Sequence, residues 1–181
     1  VAPATISTEY AYFSSYSTSW VEHARRYCEM IAARFDLGPH SQVVEIASND
    51  GYLLQHFLRL GIPVLGIEPA SNVAAAACRK NVPTLVEFFG SSLATRLVSE
   101  GRLADLIIGT NVLAQVPDLH DFVAGMALLL SPSGVVTLEL PHLERLMGEN
   151  QFDTIYHEHF SYFSLLVIER LAMKHGLRIF D

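Results

Sequence analysis

A regular alternation of short apolar runs and amphipathic helical segments, from residue 42 to the last residue, constrains this chain most. "QVVEIA" (42–47), "PVLGIEP", "PTLVEFF", "ADLIIGT" and "GVVTLELP" are β-branched runs of strand length, and the segments after the first four carry leucine or alanine at helical spacing. A sixth run, "LRIFD", follows the helix "SLLVIERLAMKHG". Strands separated by crossover helices pair in parallel with right-handed connections. The expected fold is therefore α/β, a doubly wound open sheet with helices on both faces. An earlier helix, from about Ser19 to Phe35, has cap residues at Ser17, Thr18 and Ser19 and stops at "DLGP". Residues 1–37 read as an amino-terminal segment with a helix packed on a domain of residues 38–181. The turn "SPSG" is expected to precede the fifth strand.

A chain of 181 residues fits one hydrophobic core, and no apolar run approaches the roughly 20 residues that span a bilayer. The first residues, "VAPATISTEYAYF", have neither a basic region nor an apolar one, so a cytoplasmic setting is the expectation. Cys28 and Cys78 share no CxxC spacing and fall in helical contexts, which predicts reduced, buried thiols and no structural metal. The net charge of −7 disfavours nucleic acid as a partner and favours a small-molecule substrate. The oligomeric state is open, with a monomer preferred.

At the end of the first strand stands "EIASNDG", Glu45 to Gly51. A dinucleotide fold would place GxGxxG here, and this loop has only its last glycine. The turn of Ala47, Ser48, Asn49, Asp50 and Gly51 is tight but acidic, so it suits a cationic or zwitterionic ligand better than a phosphate. S-adenosylmethionine is such a ligand, with a positive sulfonium, an ammonium that welcomes carboxylates and a ribose that needs an acidic acceptor. Glu68, in "GIEP", stands 23 positions after Glu45 and supplies that acceptor at the end of the second strand. Phe88 and Phe89, after the third strand, either wall the adenine or belong to the core. Asn111 either faces the same crevice or caps the next turn.

The connection from Pro141 to Phe163 is long for a strand-to-helix joint, whose usual length is roughly 2 to 6 residues. It holds "FDTIYHEHFSYFS", with Tyr156, His157, Glu158 and His159 in a row, on the carboxyl side of a strand. So many proton-transferring groups among aromatics read as an active site, a metal site or a buried polar network. The alternation of His157 and His159 has ligand character, but no HExxH helix or fourth ligand accompanies it, so no metal is assigned.

Together, "EYAYFSSYSTSWVEHARRY", "VVEIASNDGYLL", "GIEPASNVA", "TNVLAQVPD" and "FDTIYHEHFSYFS" resemble the sugar C-3 methyltransferases that act on nucleotide-linked 4-keto-6-deoxysugars in antibiotic biosynthesis. The resemblance implies a class I methyltransferase fold, S-adenosylmethionine as donor and a nucleotide-linked (TDP) keto-sugar as acceptor; methyl transfer to oxygen or nitrogen of a small molecule, or a donor-binding fragment without turnover, are the alternatives the residues leave open. It also implies that this chain is the central domain, without the family's zinc-binding module, carboxy-terminal domain and final antiparallel strand. In this setting His159 is the expected base that removes the C-3 proton, and Tyr156 the donor to the enolate oxygen. Glu158 would hold a sugar hydroxyl or orient a histidine, and Tyr10 matches a family position near the sugar. Gln115 stands where the family pattern has a histidine.

Overall fold

The computed structural model describes residues 10–181. Ser17 opens the first helix, α1 (Thr18–Arg34), by accepting the Trp20 N–H on its Oγ at 3.3 Å. Then follow β1 (Val43–Ile46), α2 (Leu54–Arg59), β2 (Val64–Ile67), α3 (Ser71–Arg79), β3 (Thr84–Leu85), α4 (Ser91–Ser99) and β4 (Ala104–Thr110). The chain closes with α5 (Leu119–Leu129), β5 (Leu130–Glu139), α6 (Leu143–Gly148) and α7 (Leu165–Lys174). Left-handed residues end the crossover helices: Gly61 (φ 73°), Asn81 (φ 63°) and Gly101 (φ 74°) turn the chain back toward the sheet.

The strands form one parallel sheet in the order β3-β2-β1-β4-β5. Strand side chains alternate between two cores. Val44, Ile46, Leu65, Ile67 and Ile107 pack with Leu97, Phe122, Met126 and Leu171. Val43, Val64, Leu106 and Ile108 pack with Ala24, Cys28, Ile31, Leu54, Phe57 and Ala77 on the opposite face. The chain winds outward from β1 to β3 and returns to β4, so the topological switch lies between β1 and β4, where open α/β sheets bind ligands.

Four expectations are corrected. Of "PTLVEFF" only Thr84 and Leu85 join the ladder, because the backbone beyond them leaves the sheet and carries Glu87, Phe88 and Phe89 to the wall of a cleft. "SPSG" is an irregularity inside β5, whose register slips between the Ala104↔Leu130 and Leu106↔Val135 pairs. No sixth strand forms over residues 177–181. That tail is tied instead to the end of α1, with Phe180 edge-on to Phe35 and Asp181 paired with Arg34 at 2.5 Å. Cys78 is exposed, since α3 turns Ala74 and Ala77 inward and that position outward; Cys28 is buried, which pushes its thiol up.

Gly125 of α5 lies so close to the loop before α4 that a Cβ there would stand 2.8 Å from the Gly90 carbonyl carbon and 2.9 Å from its oxygen. Alanine favours an isolated helix by about 1 kcal/mol over glycine, whereas forced overpacking costs about 1–3 kcal/mol. The obstacle here is backbone, so Gly125→Ala is expected to lower the denaturant midpoint. A raised midpoint would show that the loop yields at no cost.

Candidate active site

A cleft of about 850 Å³ runs along the carboxyl edge of the sheet. Its first wall is the loop after β1, where Ala47 (φ 57°), Asn49 (φ 48°) and Gly51 (φ 74°) are left-handed at alternate positions. This winding aims the Asn49 N–H at Glu68 Oε2, 3.0 Å away, while Ala70 N–H reaches Oε1 at 2.9 Å. Each carboxylate oxygen of Glu68 thus accepts one backbone bond and keeps a lone pair toward the cleft. Burial raises the Glu68 pKa, and the two N–H groups offset part of that rise.

Glu45, in β1, is buried behind this loop, and neither of its carboxylate oxygens has a hydrogen-bond partner among the described residues. Its pKa is pushed well above the ordinary value, first by burial, then by the charges of Glu68 and Asp50. Ala47, Asn49, Glu68, Phe88 and Asn111 line the cleft; Glu45, Ser48 and Gly51 do not. Ser48 Oγ presses against Gly66, where any Cβ would stand 2.5 Å from it, and a Cβ on Gly51 would meet Val82 at 3.0 Å. These two residues shape the loop. Asn111 is left-handed (φ 53°), donates its N–H to the Glu139 carbonyl at 2.8 Å, and accepts from Gln115 Nε2 at 3.2 Å.

The opposite wall is the segment between α6 and α7. Tyr156 to His159 form a turn closed by the His159 N–H on the Tyr156 carbonyl at 3.0 Å, which brings the two rings to 4.2 Å between centroids. His159 Nδ1 lies 2.8 Å from the Thr154 carbonyl oxygen. A carbonyl only accepts, so Nδ1 carries the proton, and Nε2 is the ring nitrogen left to act as a base. Two further contacts hold the segment over the sheet. The Ala114 carbonyl accepts from Phe160 N–H (2.8 Å) and Ser161 N–H (3.3 Å), and Leu143 N–H donates to the Phe163 carbonyl at 2.8 Å.

Tyr10, Tyr156, Glu158 and His159 all line the cleft. Burial and the Glu158 carboxylate raise the Tyr156 phenol. Tyr10 is pushed up to about 12 by burial, then by the charges of Glu158, Tyr156 and Glu68. Both phenols are therefore protonated donors at neutral pH. Thr154 and Ala114 were not foreseen from sequence; both act through main-chain carbonyls, which no side-chain pattern marks.

Among the described residues, the cleft lining includes Glu68, Glu87, Asp118, Asp121, Asp153 and Glu158, but no lysine or arginine. A cationic ligand with a ribose diol fits this donor set: Glu68 offers oriented acceptors, and the unpartnered Glu45 lies close behind. No group of three side chains among the described residues is arranged to hold a metal ion. No helix among them is long and apolar enough to cross a membrane.

Comparison with known proteins gives a family model, the methyltransferase domain, that matches residues 20–181. The C-methyltransferase NovU of Streptomyces niveus is 36% identical over 181 residues, which is all of this chain and 43% of that protein. The chain thus spans less than half the length of this curated relative. Among solved structures, a SAM-dependent methyltransferase from Archaeoglobus fulgidus superposes with a TM-score of 0.68 at 14% identity, covering 86% of this chain and 68% of that one. The plantazolicin methyltransferase BpumL in complex with SAH gives 0.63 at 13%, covering 83% and 61%.

Glu45 makes stability depend on pH in a defined direction. With its pKa raised in the folded state, that state binds the proton more tightly than the unfolded chain does. Stability contributed by the protonated carboxyl is present at low pH and is lost as pH rises from the ordinary carboxylate range to the raised folded value. Glu45→Gln is therefore expected to gain stability relative to the parent between pH 4.5 and pH 8, measured by urea unfolding. Parallel stability curves for the two proteins would mean that Glu45 finds a partner on ionising.

Proposed function

The chain belongs to the methyltransferase domain family, and from that premise we propose that it is an S-adenosylmethionine-dependent C-methyltransferase acting at the carbon beside a ketone. The finer reading is C-3 of a nucleotide-linked 4-keto-6-deoxysugar, in deoxysugar and antibiotic biosynthesis. The observation that carries the carbon chemistry is His159 with its Nδ1 proton committed to the Thr154 carbonyl and Nε2 free at the cleft. The likeness to NovU over the whole chain supports the same reading.

Glu68 would hold the donor's ribose diol, with Asn49, Ala47 and Phe88 beside it. The acidic surroundings, Glu45 included, favour the donor's positive charge. S-adenosylmethionine, when bound, supplies an electrophilic methyl group. His159 Nε2 takes the proton from the carbon next to the ketone, and the electron pair moves onto the ketone oxygen as an enolate. Tyr156 O–H donates to that oxygen, with Tyr10 as a second phenol and Glu158 as an acceptor for a sugar hydroxyl. The electron pair would then form the carbon–methyl bond as the donor's sulfur–methyl bond breaks, leaving S-adenosylhomocysteine, and His159 would pass its proton to water. The described lining holds no lysine or arginine, which supports a reading in which the cleft receives the sugar ring and a linked diphosphate lies outside it.

Calorimetry and isotope exchange test this reading separately. S-adenosylhomocysteine is expected to bind and NAD not to, with Glu68→Gln weakening the former about 10–100-fold, as for one charge-assisted hydrogen-bonding group. In D₂O a TDP-linked 4-keto-6-deoxysugar is expected to exchange its C-3 hydrogen with the parent protein. His159→Ala is expected to slow that exchange about 10²–10⁴-fold without altering S-adenosylhomocysteine affinity. Undiminished exchange in His159→Ala would remove this histidine as the base.

A further inference from the structure

Residues 10–14 cross the cleft as a strap that puts Tyr10, Tyr12 and Ser14 on its wall. The strap joins no ladder of the sheet, so its main-chain groups need other partners. Two side-chain amides supply them. Asn72, in the first turn of α3, accepts the Tyr10 N–H on Oδ1 at 3.0 Å and donates from Nδ2 to the Tyr10 carbonyl at 2.8 Å. Asn49 accepts the Ser14 N–H on Oδ1 at 2.9 Å and donates from Nδ2 to the Tyr12 carbonyl at 3.0 Å. Main-chain N–H groups only donate and carbonyls only accept, so both amide orientations are fixed by these pairs.

The arrangement depends on the carboxamide group. One acceptor and one donor side by side reproduce what a neighbouring strand would offer; a carboxylate of the same shape would set an oxygen against the carbonyl it should serve. Beyond the second clamp, Lys80 Nζ joins Ser15 Oγ to the Asp50 carbonyl (2.9 Å) and carboxylate (3.0 Å). Asn49 also gives its own N–H to Glu68 Oε2, so one residue touches both the strap and the ribose-type acceptor. Tyr10, at the far end, feels the charges of Glu68 on one wall and Glu158 on the other.

We infer that Asn72 and Asn49 are positioning residues whose amides pin the strap over the bound donor and hold Tyr10 between donor and acceptor. This rests on the donor reading above. Neither residue needs to touch the reacting atoms, and Asn72 lies outside the cleft lining.

The experiment uses the full chain with Asn72→Ala and Asn72→Asp. Hydrogen exchange of the 10–14 amides is followed without ligand, and S-adenosylhomocysteine dissociation by stopped flow. Both variants are expected to release S-adenosylhomocysteine about tenfold faster, the scale of losing one or two neutral hydrogen bonds. Asn72→Ala is also expected to speed strap exchange about tenfold. A purely structural role for Asn72 predicts lower thermal stability in Asn72→Ala with dissociation unchanged. Unchanged dissociation in both variants overturns the inference, whether or not exchange speeds up, and leaves the donor reading intact. No S-adenosylhomocysteine binding by the folded parent overturns the donor reading and the strap's role with it.

Discussion

The rest of the structure depends on β1 lying parallel between β2 and β4, with Ile46 opposite Ile67 on one side and Gly109 on the other. All four residues of β1 are buried, so its register cannot slip without moving a core face into the wrong layer. Parallel pairing sends every strand's carboxyl end to the same edge. The loop after β1, Glu68 after β2 and Asn111 after β4 therefore meet there by construction. The three left-handed residues of the first loop are tolerated because their N–H groups and close packing are used: one aims at Glu68, and Gly51 sits where a side chain would strike Val82.

Electrostatics then separates the two ends of the cleft. At the donor end, carboxyl groups crowd a buried loop, and Glu45, which has no hydrogen-bond partner among the described residues, has its pKa raised by burial and by its acidic neighbours. Such a group is costly to a folded protein and is retained where a ligand's positive charge can offset it. At the other end two phenols stay protonated while a histidine is fixed in the tautomer of a base. Donors toward a developing enolate and an acceptor toward a carbon-bound proton are the pair of functions that methylation beside a ketone requires.

Main-chain carbonyls and side-chain amides do most of the positioning. Ala114 and Phe163 hook the segment bearing His159 onto the sheet, Thr154 sets the histidine's tautomer, and Asn49 and Asn72 lay the strap across the opening. The two walls and the cover thus come from segments far apart in the chain, joined by bonds in which the peptide group itself takes part.

The α/β class and the places of β1, β2 and β4 were legible because helical and strand periodicities are local properties of the sequence. So was the grouping of Tyr156 to His159, which is contiguous, and of Glu68 with the first loop, which follows from strand-end geometry. The extent of β3, the irregular start of β5, the absence of a strand over 177–181 and the exposure of Cys78 were not legible. Each depends on which partner lies alongside after the chain has crossed over itself. By itself the sequence determined which chemical groups stand at the sheet's carboxyl edge, since residue type and strand order are written in it. Only the tertiary structure decided that Thr154 fixes His159 and that two asparagines hold the strap, because those contacts reach backbone atoms that every residue shares.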